Sequence, residues 1–63
     1  MKLKSFTDLD NDVYEATDEV DLFLRFDEVS RPIYVEVRNA TNGEREIVNW
    51  LQVATCEVLD AMK

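Results

Sequence analysis

Fourteen acids against seven bases, one Cys and no His in 63 residues describe one small, strongly acidic domain, residues 1–63. A chain this short buries only about 60% of the surface it exposes when unfolded, so its stability is marginal unless something else helps. The lone thiol and missing imidazole exclude an intramolecular disulfide, a Cys/His zinc site and a His-based acid–base or nucleophilic centre.

Met1-Lys2-Leu3-Lys4 leads into a charged stretch rather than an apolar core, so no signal peptide is expected. No apolar run is long enough to span a bilayer. The expectation is a soluble, cytoplasmic protein, and the single thiol agrees with a reducing compartment. Lys2 to Asp8 alternates in part and suits a short strand or an arm. Asp8 to Asp12 is too rich in Asp and Asn for mid-strand and suits a turn or a helix start. Val13 to Thr17 reads as an edge strand, although Leu9, Val13, Ala16 and Val20 would also line a helix.

From Val20 the period is two. Val20, Leu22, Leu24 and Phe26 alternate with Asp21, Phe23, Arg25 and Asp27, then Ile33, Val35 and Val37 alternate with Tyr34, Glu36 and Arg38. Two such runs joined by a polar loop predict an antiparallel hairpin, 20–27 with 33–38. Pro32 suits the loop or first strand position, where its missing N–H does least harm. On the outer face this places Arg25 near Glu36 and Phe23 near Tyr34.

The last third predicts a helix over about residues 43–62. Ile47, Leu51, Ala54, Val58 and Met62 step by threes and fours, flanked by Val48, Thr55 and Leu59 on one side and by Trp50 and Ala61 on the other. Thr41 and Glu44 fit a capping box, while Asn42-Gly43 is a competing turn signal. The expected fold is therefore α+β: a small antiparallel sheet made of the 20–27/33–38 hairpin and one or two N-terminal strands. The C-terminal amphipathic helix covers one face of that sheet. Val53 and Cys56 fall outside the helical stripe. Together with Trp50 and the outward Tyr34, Val53 makes a candidate oligomer interface.

Three constellations bear on chemistry. Asp8, Asp10, Asp12 and Glu19 stand at positions one, three, five and twelve of a twelve-residue window, and in those positions alone the segment resembles an EF-hand calcium loop. Val13 occupies the sixth position, where that loop needs Gly, and no amphipathic helix leads in, so neither a metal nor another cofactor is expected. Carboxylate pairs abound, but acid–base catalysis needs a cleft that separates their acidities, for which so small a domain has little room. Cys56 has no neighbouring base to activate it. The chain is not expected to be an enzyme.

Binding remains. Asp8, Asp10, Asp12, Glu15, Asp18, Glu19 and Asp21 fall in one stretch that contains no base. Extended or helical, such a stretch forms a line of negative charge like that of a nucleic-acid backbone. This field disfavours direct binding to nucleic acid or anionic membrane and favours basic surfaces. Tyr14 and Phe23 could serve as aromatic anchors. The expectation is a small inhibitor or regulator that occupies the basic nucleic-acid-binding surface of a partner protein, of the kind mobile genetic elements use in counter-defence. The alternative is a self-associating structural or regulatory subunit, a homo-oligomer whose acidity serves only solubility.

Overall fold

The structure is a computed structural model that describes residues 1–59. Its strands are β1 (Leu3–Asp8), β2 (Val13–Glu15), β3 (Val20–Phe26), β4 (Pro32–Asn39), β5 (Arg45–Asn49) and β6 (Val53–Val58). They form two three-stranded antiparallel sheets, ordered β2-β1-β6 and β3-β4-β5. The sheets meet at one corner, where the Leu24 N–H donates to the Met1 carbonyl at 2.7 Å and Lys2 bridges to Phe23. Between them lies a core of Leu3, Phe6, Leu22, Leu24, Val35 and Val48.

The expected α+β architecture is overturned, because no α-helix occurs among the described residues. The segment predicted to be helical holds β5, a single 3₁₀ turn at Trp50–Gln52, and β6. Each feature offered for the helix has another use. The Asn39 side-chain oxygen accepts from the amides of Thr41 and Asn42 at 2.9 and 3.0 Å, and Gly43 takes a φ of 78° that other residues avoid. The competing Asn42-Gly43 signal thus closes a β4–β5 hairpin where Thr41 and Glu44 were expected to cap a helix. Downstream, Asn49 accepts from the Leu51 amide at 2.8 Å and starts the 3₁₀ turn that separates β5 from β6.

The apolar pattern inverts accordingly. Ile47, Leu51, Ala54 and Val58, the expected buried stripe, are all exposed, Leu51 at 83%. Val48 is buried, and Trp50, Val53 and Cys56 pack on the core instead. Two short strands around a three-residue turn bring inward positions at 48, 50, 53 and 56, a spacing that imitates a helix of a different phase. β-Branched Ile47, Val48, Val53, Thr55 and Val58 suit the strands better than a helix. Met62 and Ala61 lie outside the described residues.

The hairpin pairs with its own register. Leu24 faces Val35, Arg25 faces Tyr34, and Phe23 faces Glu36. Arg25 still meets Glu36 diagonally, whereas Phe23 is not the direct partner of Tyr34. The inner rows are buried in the middle and emerge at the ends, where Phe26 and Ile33 are about two-fifths exposed. Both N-terminal segments are strands, with β1 central in its sheet.

This inversion sets a stability test by urea denaturation. Leu22→Ala should cost about 2–5 kcal/mol, because it empties a filled core position. Leu51→Ala should stay within about 0.5 kcal/mol of the parent chain. A helix docked through Leu51 would give a core-sized loss there instead.

Candidate functional site: an acidic cleft beside an arginine cluster

Two five-residue loops of the same design frame the surface. In Asp8–Asp12, the Asp8 N–H donates to the Asp12 carbonyl at 3.0 Å and the Asn11 N–H donates to the Asp8 carbonyl at 3.1 Å. Asp8 Oδ1 accepts from the amides of Asp10 and Asp12 at 2.9 and 3.0 Å. In Asp27–Arg31, Asp27 Oδ1 accepts from the amides of Val29 and Arg31, both at 2.9 Å, inside the same backbone closure. The fourth residue of each loop is left-handed, Asn11 at φ 69° and Ser30 at φ 65°. An Asp at the head of each loop satisfies amides that would otherwise point at nothing.

The loops differ in what meets the second carboxylate oxygen. In the later one, the Arg31 Nε donates to Asp27 Oδ2 at 2.9 Å. The bond to the Arg31 backbone is the largest influence on Asp27, and its carboxyl titrates below the ordinary 3.8. In the earlier loop, Asp8 Oδ2 meets only the Tyr14 hydroxyl, at 3.4 Å. The Tyr14 ring lies flat on Phe6, with centroids 4.4 Å apart. Burial, then the charges of Asp8, Glu46 and Asp12, push the Tyr14 hydroxyl above its ordinary 10.0. All three of those neighbours are negative.

Here a cleft of about 300 Å³ opens, walled by Asp8, Asp10 and Tyr14 on one side and by Glu46, Ile47 and Val48 of β5 on the other. Leu9 and Gln52 complete it, the Leu9 N–H donating to the Gln52 carbonyl at 2.9 Å. No base lines it. A larger hollow of about 590 Å³ lies against the Asp27–Arg31 loop, but the charges of Asp27 and Arg31 are already spent on each other there.

The opposite charge collects on the outer face of β3-β4-β5. Glu36 is 2% exposed and gathers one arginine from each strand. Arg25 of β3 donates to its Oε1 at 3.1 Å. On Oε2, Arg38 of β4 sits at 3.2 Å and Arg45 of β5 at 3.7 Å, neither with hydrogen-bond geometry. Phe23 lies beneath three cations, Arg25 at 5.0 Å and Arg38 and Lys2 at 5.8 Å from the ring centroid. Each such contact contributes about 0.5–1 kcal/mol at a site this open. Burial pushes the Glu36 carboxyl up, but the Arg25 hydrogen bond and the charges of Arg38, Arg25 and Arg45 outweigh it, and the group titrates below the ordinary 4.5.

The residues singled out from sequence are thus divided. Asp8, Asp10 and Tyr14 meet in the cleft, and exposed Asp12 ends the same loop. Asp8 itself is only 9% exposed and points at its own loop. Asp8, Asp10 and Asp12 form neither an extended row nor a helical face, because the loop folds them into a turn. Glu15, on β2, faces Ser5 of β1. Asp18 and Glu19 lie in the β2–β3 connection, Thr17 Oγ1 accepting from the Glu19 amide at 3.1 Å, and Asp21 faces Arg38 across the hairpin. Phe23 belongs to the arginine cluster. Tyr34 is half-buried opposite Asn49, and Trp50 and Val53 serve the chain's own core.

Among the described residues no group of three or more His, Cys, Asp or Glu side chains is arranged to hold a metal ion. The calcium-loop spacing is not folded as such a loop, since Asp8 Oδ1 is taken by amides. Nor does any helix of the described residues have the length and apolarity to cross a membrane. Sequence reasoning missed Glu46 and Ile47 in the cleft, having placed them on a helix. Their neighbours Asn42-Gly43 carried the signal that would have recovered them.

Acid titration followed by fluorescence tests the Glu36 cluster. With its folded pKa depressed, Glu36 stabilises the fold fully above its ordinary 4.5. That contribution is lost as pH falls through the lower folded value. Glu36→Gln should lower stability at neutral pH by about 1.5–3 kcal/mol and flatten the acid limb. An unchanged acid limb would contradict the assignment. The chain matches no protein-family model, and no curated protein or solved structure shows detectable similarity to it.

Proposed function

We propose that the chain is a non-enzymatic, acidic protein-binding module that occupies the basic, nucleic-acid-binding surface of a partner protein, acting as an inhibitor or regulator in the cytoplasm. The observation that carries this reading is how the charge is compensated. All four arginines are paired, three on Glu36 and Arg31 on Asp27. Among the described residues, the seven acids from Asp8 to Asp21 take part in no ion pair. Glu28, Glu44, Glu46 and Glu57 take part in none either, so the described surface carries a negative surplus, and such a field steers a basic partner and fixes its orientation.

The acidic cleft supplies the local chemistry. A partner lysine or arginine can lay its methylene stem against Leu9 while its head meets Asp10 and Glu46. Asp12, exposed on the same loop, extends the negative surface past the cleft, whereas Glu15 lies in a separate hollow with Lys4 and Glu57. Mimicry of nucleic acid in this proposal lies in clustered charge around one receiving cleft, rather than in an evenly spaced line.

Tagged protein used to capture partners from lysate, eluted by stepwise salt and read by mass spectrometry, tests the reading. The expected result is a basic nucleic-acid-binding protein released at moderate salt. Asp10→Asn combined with Glu46→Gln should lose it while leaving the urea midpoint unchanged. Recovery of only the chain's own copies, held at high salt, would sink the mimicry reading.

A further inference from the structure

We propose that the outer face of β3-β4-β5 is a second binding surface, fitted to an acidic segment of a partner protein and independent of the cleft. Residues directly opposite one another in a sheet share a face, so the register lays this face out in rows. Phe23, Glu36 and Ile47 form the middle row, with Asp21, Arg38 and Arg45 in the row beside it. Lys2 and Arg25 lie over Phe23. Four cations thus gather around two acids, on a chain whose net charge is -7.

Two features mark the row of Arg38 and Arg45 as open. The two arginines face each other directly across β4 and β5, and like charges so placed repel. Glu36 Oε2 lies 3.2 and 3.7 Å from them yet accepts a hydrogen bond from neither, so both guanidinium forks keep donors for an incoming acceptor. Exposures of 44% and 61% put those forks within reach of a ligand. A carboxylate set between them takes paired N–H donors and turns their repulsion into attraction. Ile47, 56% exposed, stands on the same face two residues from Arg45 and offers an aliphatic side chain a contact.

A segment that carries carboxylates beside an aliphatic residue matches both features. A nucleic acid does not. Arg25 and Arg38 lie over the Phe23 ring, where a stacked base would have to sit. The chain's own negative field also opposes a long, uniform polyanion more than a few carboxylates set among neutral residues. The cleft stays free, because alternation along β5 turns Glu46 and Val48 to one side and Arg45 and Ile47 to the other. Basic and acidic partners can then be held on opposite sides of one strand.

Amide NMR titration of the unsubstituted chain with a short peptide of glutamates interrupted by leucines, in about 0.05 M salt, tests this. The expected result is saturable shifts at Phe23, Arg38, Arg45 and Ile47, with the 8–12 loop unmoved. Arg45→Gln should weaken binding by roughly tenfold. Of the three arginines it is the most exposed and the farthest from Glu36, so the fold should survive its loss. Ile47→Ser should weaken the leucine-containing peptide by roughly threefold and leave an all-glutamate peptide unaffected. Three results overturn the proposal: no saturable shift at millimolar peptide, shifts elsewhere, or the same residues binding an oligothymidylate of equal charge or inorganic phosphate as tightly.

Discussion

A single buried carboxylate, Glu36, decides how charge is distributed over this molecule. It sits in the middle of the central strand of its sheet, and one arginine reaches it from each of β3, β4 and β5. The arginines are 41–61% exposed, so each pair taken alone is screened and worth little. Their collective effect is to keep an ionised group tolerable where it would otherwise be stranded. The same arrangement ties three strands together on the face turned away from the core. It also withdraws three of the chain's four arginines from the rest of the surface.

What is left elsewhere is uncompensated acid. The Asp8–Asp12 and Asp27–Arg31 loops show how much depends on one residue. Their backbones close in the same way, yet the fifth position is Arg31 in one and Asp12 in the other. The first choice pairs the leading Asp and leaves only Glu28 uncompensated; the second leaves three acids and no base leaning over Tyr14 and Glu46. Fold and charge thus come from separable features: the leading Asp makes the turn, and the fifth residue sets how much of the charge is compensated.

The hairpin from Val20 onward was legible because both strands keep a strict period of two and their middles are buried on one face. The last third was not. Inward positions at 48, 50, 53 and 56 arise from two strands joined by a 3₁₀ turn, and an interrupted period of two can pass for a helical one. Tertiary pairing with β1 and β4 decided the matter, and neither pairing is visible in the local pattern. The β-branched residues and Asn42-Gly43 pointed the right way. The acidic stretch was legible as charge, but its shape was not: an Asp that caps its own loop has the same letter as one that faces solvent. Glu36 was placed correctly on the outer face beside Arg25. That Arg38 and Arg45 would join it follows only once β5 is known to be a strand.

The central claim is that one base-free cleft, not acidity at large, receives a basic partner. The most direct measurement is a two-dimensional amide NMR titration with a short oligo-arginine peptide. The account predicts shifts concentrated at the 8–12 loop, Tyr14 and Glu46, and abolished by Asp10→Asn with Glu46→Gln. Shifts spread evenly over every surface carboxylate, Glu28 and Glu57 as much as Asp10, would contradict it.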